Sequence, residues 1–200
     1  MNAVSERSRQ VLAQCGAIVE GHFVGTSGKH LSLYVAKDMA TKLTSVGSEL
    51  CMEIARIFWN EDDYEQIDAV VAPAVGGVAL SQWTAHSLTH DLHPLGWSEV
   101  LALYAEHEEV LLTTCEVGSM GFQLPAFLGK IWVDLHQGDK LMIKKPTFVL
   151  KRGFQVDVQG KQVLVVEDVL TTGASAKHTV EAVRVAGGVV VGVGALAKSA

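Results

Sequence analysis

The segment Val163-Leu-Val-Val-Glu167-Asp168-Val-Leu-Thr171-Thr172-Gly173-Ala174-Ser175 constrains this chain more than any other. It opens with a continuous aliphatic and β-branched run, the pattern of a strand buried on both faces. That run delivers two adjacent carboxylates to its carboxyl end. A short loop of hydroxyls, glycine and small residues follows, and then a helical pattern from about Ser175 to Ala186. The first backbone N–H groups of a helix lack internal partners, so they face any anion placed at its mouth, and the helix dipole favours negative charge there. Thr171, Thr172 and Ser175 add hydroxyl donors, while Gly173 and Ala174 keep the approach open. Hydrogen bonds to a charged group contribute about 1.5 to 3 kcal/mol each, so three or four well-aimed donors hold a monophosphate without a lysine. Glu167 and Asp168 would repel that phosphate. They suit the hydroxyls of a sugar carrying it, or a magnesium ion. A ribose 5-phosphate satisfies both halves. The plain alternative is an acidic pair ending a strand, with Thr and Ser as ordinary helix caps. It does not require two adjacent acids, two threonines, a glycine and a serine in this order.

The rest of the chain supplies the frame for such a segment. Val11, Leu12, Cys15, Ile18 and Val19 fall on one helical face, and Gly21 is expected to end that helix. His22 to Val35 reads as a strand pair with a tight turn. Leu43, Val46, Leu50, Ile54 and Ile57 predict a second helix to about Trp59. Ile67 to Ala72 then reads as a strand, Pro73 to Gly77 as a turn, and Val78 to about Leu88 as a helix. Val100 to Ala105, Val163 to Val166 and Val189 to Leu196 are further strands. Alternation of this kind implies an α/β fold, a parallel sheet covered on two sides that binds ligands at the carboxyl ends of its strands. Glu106 to Thr147 fits the rhythm least, with Phe122, Phe127 and Trp132 set between glycines, and is expected to be a lid, flap or subunit contact.

Composition narrows the partners. At 200 residues and 48% hydrophobic, the chain suits one domain over 1–200 with a sizeable core. A net charge of -6 leaves no basic surplus for a phosphate backbone, so no nucleic-acid partner is expected. No stretch approaches the roughly 18 apolar residues of a membrane span, so no membrane partner is expected either. Cys15, Cys51 and Cys115 are odd in number and far apart, which supports neither a disulfide framework nor a zinc ribbon and favours a cytoplasmic location.

VVEDVLTTGAS resembles the phosphoribosyl pyrophosphate binding motif of the type I phosphoribosyltransferases. Gly21-His-Phe-Val-Gly-Thr26-Ser27-Gly28-Lys29-His-Leu-Ser-Leu-Tyr34-Val35 resembles the base-recognition segment of the orotate branch. Ala72-Pro-Ala-Val-Gly76-Gly77 is similar to that branch's pyrophosphate loop, and Lys151-Arg152-Gly153-Phe154 also fits. The likeness spans roughly residues 10 to 198 apart from an insertion at about 107–146. It implies a parallel-sheet, Rossmann-like type I phosphoribosyltransferase core with a small amino-terminal hood at about 20–37. The implied reaction moves ribose 5-phosphate from phosphoribosyl pyrophosphate to orotate with Mg2+, giving orotidine 5′-monophosphate and pyrophosphate, in a homodimer. Carried onto this sequence, Glu167 and Asp168 take the catalytic role and Thr171, Thr172, Gly173, Ala174 and Ser175 the phosphate. Ala74, Val75, Gly76 and Gly77 take pyrophosphate, and Thr26, Ser27, Gly28, Lys29 and Tyr34 the base. No side-chain cluster is assigned to a metal held by the protein alone.

The chain also departs from that family. Gly76 and Thr26 stand where many orotate enzymes carry lysines, and Glu106-His107-Glu108-Glu109 stands where most carry a mobile loop rich in Lys and His. An acidic loop cannot clamp pyrophosphate, so the cations must come from elsewhere, with Lys37, Lys151 and Arg152 as candidates beside Lys29, Lys144 and Lys145. Only Lys198 lies near the place of the arginine that meets the orotate carboxylate. Two other functions therefore stay open: a non-catalytic phosphoribosyl-pyrophosphate-binding regulator, and a transferase for another base. His86, His90 and His93 share a possible helix face and read as a helix end rather than a metal site.

Overall fold

The computed structural model describes residues 3–24, 28, 30–59, 66–92, 99–116 and 140–198. In chain order the elements are α1 (Ala3–Gln14), β1 (Ile18–Val24), β2 (His30–Val35), α2 (Lys37–Thr41), α3 (Thr44–Phe58), β3 (Ala69–Pro73), α4 (Val78–His86), β4 (Leu101–Glu116), β5 (Lys140–Leu150), α5 (Phe154–Asp157), β6 (Gln162–Leu170), α6 (Ala174–Val185) and β7 (Val189–Lys198). A π-helical turn, Ser87–Leu92, continues α4. Residues 1–107 with 148–200 form one compact unit. Residues 108–147 form a second, whose described part is the outer arms of β4 and β5.

The sheet has the order β5-β4-β3-β6-β7. β3 runs parallel to β4, with Ala69 opposite Leu101 and Pro73 opposite Ala105, and parallel to β6, with Ala69 opposite Val163. β6 in turn runs parallel to β7 from Gln162 opposite Val189 to Leu170 opposite Lys198. The expected α/β architecture is therefore the observed one.

Continuous apolar runs make sense on this sheet because alternate residues serve opposite faces. Val70, Ala72, Leu164 and Val166 pack with Cys51, Ile54 and Ala55 of α3 and Leu80 of α4. Ala69, Val71, Val163 and Val165 pack on the other face with Val158 and with Val183 of α6. Each buried valine or leucine contributes about 1.5 to 3 kcal/mol, so neither face tolerates a polar substitution. A third cluster, Val11, Leu12, Ala17, Ala40 and Leu50, fastens α1, the start of the β1–β2 hairpin and α2 to α3.

Several boundaries differ from the sequence reading, among them the end of β6, which runs past Val166 to Leu170 and so holds Glu167 and Asp168 within the strand. The first helix ends at Gln14, not near Gly21, and Ile18 and Val19 belong to β1. The stop is Gly16, at φ +72°, where the Gly16 N–H donates to the Ala13 carbonyl and the Ala17 N–H to the Leu12 carbonyl. This pair of bonds closes a helix around a left-handed glycine, and Gly16 is the first glycine able to do it. The strand expected to end at Ala105 instead runs to Glu116, so Glu106 to Glu109 lie in β4 and not in a loop. Val110-Leu-Leu-Thr-Thr, rich in residues that favour strands, follows the acidic patch and carries the extended conformation through it.

Candidate active site

Parallel strands end on one edge, and the candidate residues collect there. β3 stops at Pro73 and hands the chain to a turn over 74–77 that leads into α4. Next to it, β6 carries Glu167 and Asp168, each 6% exposed, and continues only to Leu170. The loop Thr171-Thr172-Gly173 then opens α6, with Gly173 at φ +74° as the residue before the first turn.

Glu167 and Asp168 are consecutive on β6, and the Glu167 carboxyl lies within hydrogen-bonding reach of the Asp168 side chain and backbone. Asp168 lies on the face of α3 and α4. One of its oxygens accepts the Val169 N–H at 2.6 Å, and the other accepts the Lys37 ammonium from the start of α2. Lys37 is held more firmly protonated than usual, first by that hydrogen bond and further by the charges of Asp168, Asp38 and Glu167. Glu167 has the opposite fate. Burial, reinforced by the negative charge of Asp168, pushes its carboxyl up to about 7, with Lys37 pulling weakly the other way. One acid of the pair is thus tied to a cation, and the other sits poised near neutrality.

Gly76 is pressed against this corner. A Cβ built there would lie 2.6 Å from Asp168 Oδ2 and 3.4 Å from Lys37 Nζ, so only glycine fits without displacing the carboxylate. The Ala74 N–H donates to the Ala105 carbonyl, the Gly77 N–H to Pro73 and the Val78 N–H to Val75. The amides of Val75 and Gly76 take no part in these bonds, and Val75 is 87% exposed. The Ala74–Val75 peptide is cis. The 74–77 turn and the acidic pair, 91 residues apart between Gly76 and Glu167 by their numbers, are in contact.

At the mouth of α6, Thr171, Thr172, Ala174 and Ser175 are exposed and Gly173 is half-buried. The Ala174 N–H donates to Thr172 Oγ1 at 3.3 Å, and the first intrahelical bond runs from the Lys177 N–H to the Gly173 carbonyl. The amides of Ser175 and Ala176 precede that bond and face the mouth.

The remaining candidates are placed differently. Thr26, Ser27 and Lys29 lie outside the described residues, while Gly28 is exposed at φ +76°. Tyr34, 50% exposed on β2, sets its ring 5.4 Å from that of Phe23 across the hairpin. Arg152 donates to Glu106 at 2.8 Å, and Lys151 stands 3.9 Å from the same carboxylate. His86 and His90 lie ring to ring at 4.6 Å, and His93 is outside the described residues. The residues Lys140, Lys144 and Lys145 belong to the β5 arm, whose side chains up to residue 146 are likewise outside the description.

Two features escape sequence reasoning. Glu106 reads as part of a repelling acidic patch, yet it binds the two cations that follow β5. A groove of about 370 Å³ lies beside Leu170, walled by Leu12, Ile18, Leu50, Ile54 and Lys198. It draws on α1, β1, α3, β6 and β7, and no local pattern announces it.

No protein-family model matches the chain. Among curated proteins it is similar to the orotate phosphoribosyltransferase of Pelotomaculum thermopropionicum, 30% identical over 186 residues that cover 93% of this chain and 71% of that protein. It is likewise similar to the orotate phosphoribosyltransferase of Desulforamulus reducens, 31% identical with the same two coverages. Among solved structures it resembles orotate phosphoribosyltransferase from Aeropyrum pernix, with a TM-score of 0.54 at 19% identity over 94% of this chain and 92% of that one, a likeness of fold. Identity at this level over nearly the whole chain, on the fold just described, means that the chain belongs to the orotate phosphoribosyltransferase family.

Proposed function

We propose that the protein transfers ribose 5-phosphate from phosphoribosyl pyrophosphate to orotate. The observation that carries this reading is the contact between the Gly76 turn and the buried Asp168, two residues short of the end of a strand that leads into a helix mouth. A sugar lying over that contact has its 5-phosphate at Thr171 to Ser175. Its hydroxyls donate to Asp168 and Glu167, and its 1-pyrophosphate lies along Ala74 to Gly77. As the bond to pyrophosphate breaks, positive charge grows on the ribose ring, and the two carboxylates lie where their field stabilises it. The amides of Val75 and Gly76 meet the departing anion. Gly28 and Tyr34, with Thr26, Ser27 and Lys29, are assigned to the base. Lys37, Lys151 and Arg152 are the candidates for the cation that the turn lacks.

Magnesium suits the donors present. Among the described residues no three His, Cys, Asp or Glu side chains cluster, whereas magnesium is usually held by one or two carboxylates together with substrate phosphate oxygens. Glu167 and Asp168 would hold it, and bound there it would neutralise charge on the pyrophosphate. The reading also carries a homodimer, whose mass light scattering measures, and a cytoplasmic location. No helix among the described residues is long and apolar enough to cross a membrane.

The test is direct. With phosphoribosyl pyrophosphate and magnesium, the protein should consume orotate, followed by loss of ultraviolet absorbance. A second reading, a regulator that binds phosphoribosyl pyrophosphate without turnover, is favoured by the engagement of Lys151 and Arg152 with Glu106. Binding without absorbance loss at high protein concentration would select it. Consumption of a purine in place of orotate would select a different base.

A further inference from the structure

We infer that Lys37 is an exchangeable cation: it holds Asp168 in the unliganded site and turns to the pyrophosphate group when the ribose hydroxyls take its place. The inference rests on the proposed function and deepens it.

The geometry sets up the exchange. Asp168 has one oxygen fixed by its neighbour's amide, so the oxygen bound to Lys37 is the one that faces the ligand site. A ribose hydroxyl that donates to this oxygen competes with the ammonium for it. The two partners are unequally buried, with 9% of the Asp168 side chain exposed against 41% for Lys37, so the lysine is the one that can move. Its backbone stays in place. Lys37 begins α2, its carbonyl accepts the Thr41 hydroxyl at 3.2 Å, and Ala40 of the same helix is fully buried. The four-carbon stem can therefore swing from a fixed root.

The destination is adjacent. Lys37 Nζ lies 3.4 Å from the position of a Cβ on Gly76, so a small rotation carries the ammonium across the face of the 74–77 turn. That turn has no side chain of its own to meet an anion there, because Asp168 occupies the space that one would need. A cation for this position has to arrive from another segment, and Lys37 is already at it. Arg152, by contrast, is engaged by Glu106. An ammonium released from a buried carboxylate seeks new negative charge, and pyrophosphate supplies several units of it. Exchange also links two events, since sugar binding at Asp168 frees the group that grips the leaving anion.

The experiment compares two probes on the same protein by titration calorimetry in the presence of magnesium: ribose 5-phosphate, which lacks the pyrophosphate, and phosphoribosyl pyrophosphate. For Lys37→Met, affinity for phosphoribosyl pyrophosphate should fall about ten- to a hundredfold, while affinity for ribose 5-phosphate stays within about threefold or rises. Lys37→Arg, which keeps the charge, should recover most of the lost affinity and guards against a folding defect in the first variant. Equal weakening of both probes would mean that Lys37 merely organises Asp168, and would overturn the inference. So would unchanged affinity for phosphoribosyl pyrophosphate. A wild-type protein that binds neither probe would overturn the proposed function and the inference together.

Discussion

Asp168 with Lys37 and Glu106 with Arg152 are both acid–cation pairs at the carboxyl edge of one sheet, yet they sit at different depths. The Asp168 side chain is 9% exposed. Glu106 is 25% exposed and Arg152 64%. In the first pair a carboxylate has left water, so whatever replaces its partner must restore the lost solvation, and a ligand that does so is selected strongly. In the second pair Glu106 is only partly covered and Arg152 keeps most of its water, so the attraction is better screened and less depends on it. Similar chemistry on one edge therefore yields a buried corner, the one proposed to respond to ligand, and a surface tether, and burial separates the two.

The largest effect expected from this contrast is at Asp168. Asp168→Asn keeps the size of the side chain and removes its charge, leaving Lys37 without its partner and the ribose ring without the nearer negative field. Loss of one preorganised electrostatic contact in a reaction of this kind costs about 100- to 1,000-fold in turnover. Orotate consumption measures it. A variant within a few-fold of wild type would erase the distinction between the corners.

Glu167 tests the same corner through pH. Its carboxyl is raised in the folded protein to about 7, chiefly by burial, whereas in the unfolded chain it ionises near the ordinary value of 4.5. Between those values the folded state holds a proton that the unfolded state has released. Stability of the ligand-free protein should therefore fall as pH rises from about 4.5 to 7, and this residue's share of the fall is on the order of 1 to 3 kcal/mol. Glu167→Gln should flatten that slope in denaturation at pH 5 and pH 7.5. Turnover, which needs the ionised acid to accept ribose hydroxyls, should climb towards pH 7 in wild type and lose that climb in the variant. A slope indifferent to the substitution would place the shallow stretch of the site where the deep one is claimed.

How far each corner can be read from sequence follows from how local its parts are. The β6–α6 segment states its own chemistry because strand, acids, hydroxyls and helix mouth are consecutive, and the structure keeps them in that order. Lys37 is 131 residues from Asp168, and no periodicity joins them. The sequence makes it one candidate cation among several, and only the fold selects it. Gly76 shows the same limit from the other side. As a sequence letter it signals a turn, but that it must be glycine because Asp168 fills its Cβ position is a fact of tertiary contact. The misplaced end of α1 has a local cause. Gly16 carried the helix stop, but the apolar spacing through Ile18 and Val19 continues past it, since a strand that starts on the same side of the core prolongs the pattern. Glu106 to Glu109 carry the charge of a solvated loop, but the strand-forming run Val110-Leu-Leu-Thr-Thr that follows keeps them in β4.

The shallow corner supplies the smallest expected effect and the sharpest contrast. Arg152 is a non-glycine residue at φ +62°, in the left-handed region that costs side chains free energy, and it is followed by Gly153 at φ +90°. Arg152→Ala removes the tether to Glu106 and keeps the unfavourable backbone; Arg152→Gly removes the tether and relieves the backbone as well. If the pair is a screened surface contact, the alanine variant should shift Tm by no more than about 2 °C. The glycine variant should melt at or above the alanine one, and both should bind phosphoribosyl pyrophosphate within about twofold of wild type. A tenfold loss of that affinity in both variants would move the missing cation from Lys37 to Arg152, because a side chain held in a strained backbone then has a ligand to hold it there. With affinity unchanged, the order of the two melting points isolates the backbone contribution, and the acid at position 106 is left with a structural task alone.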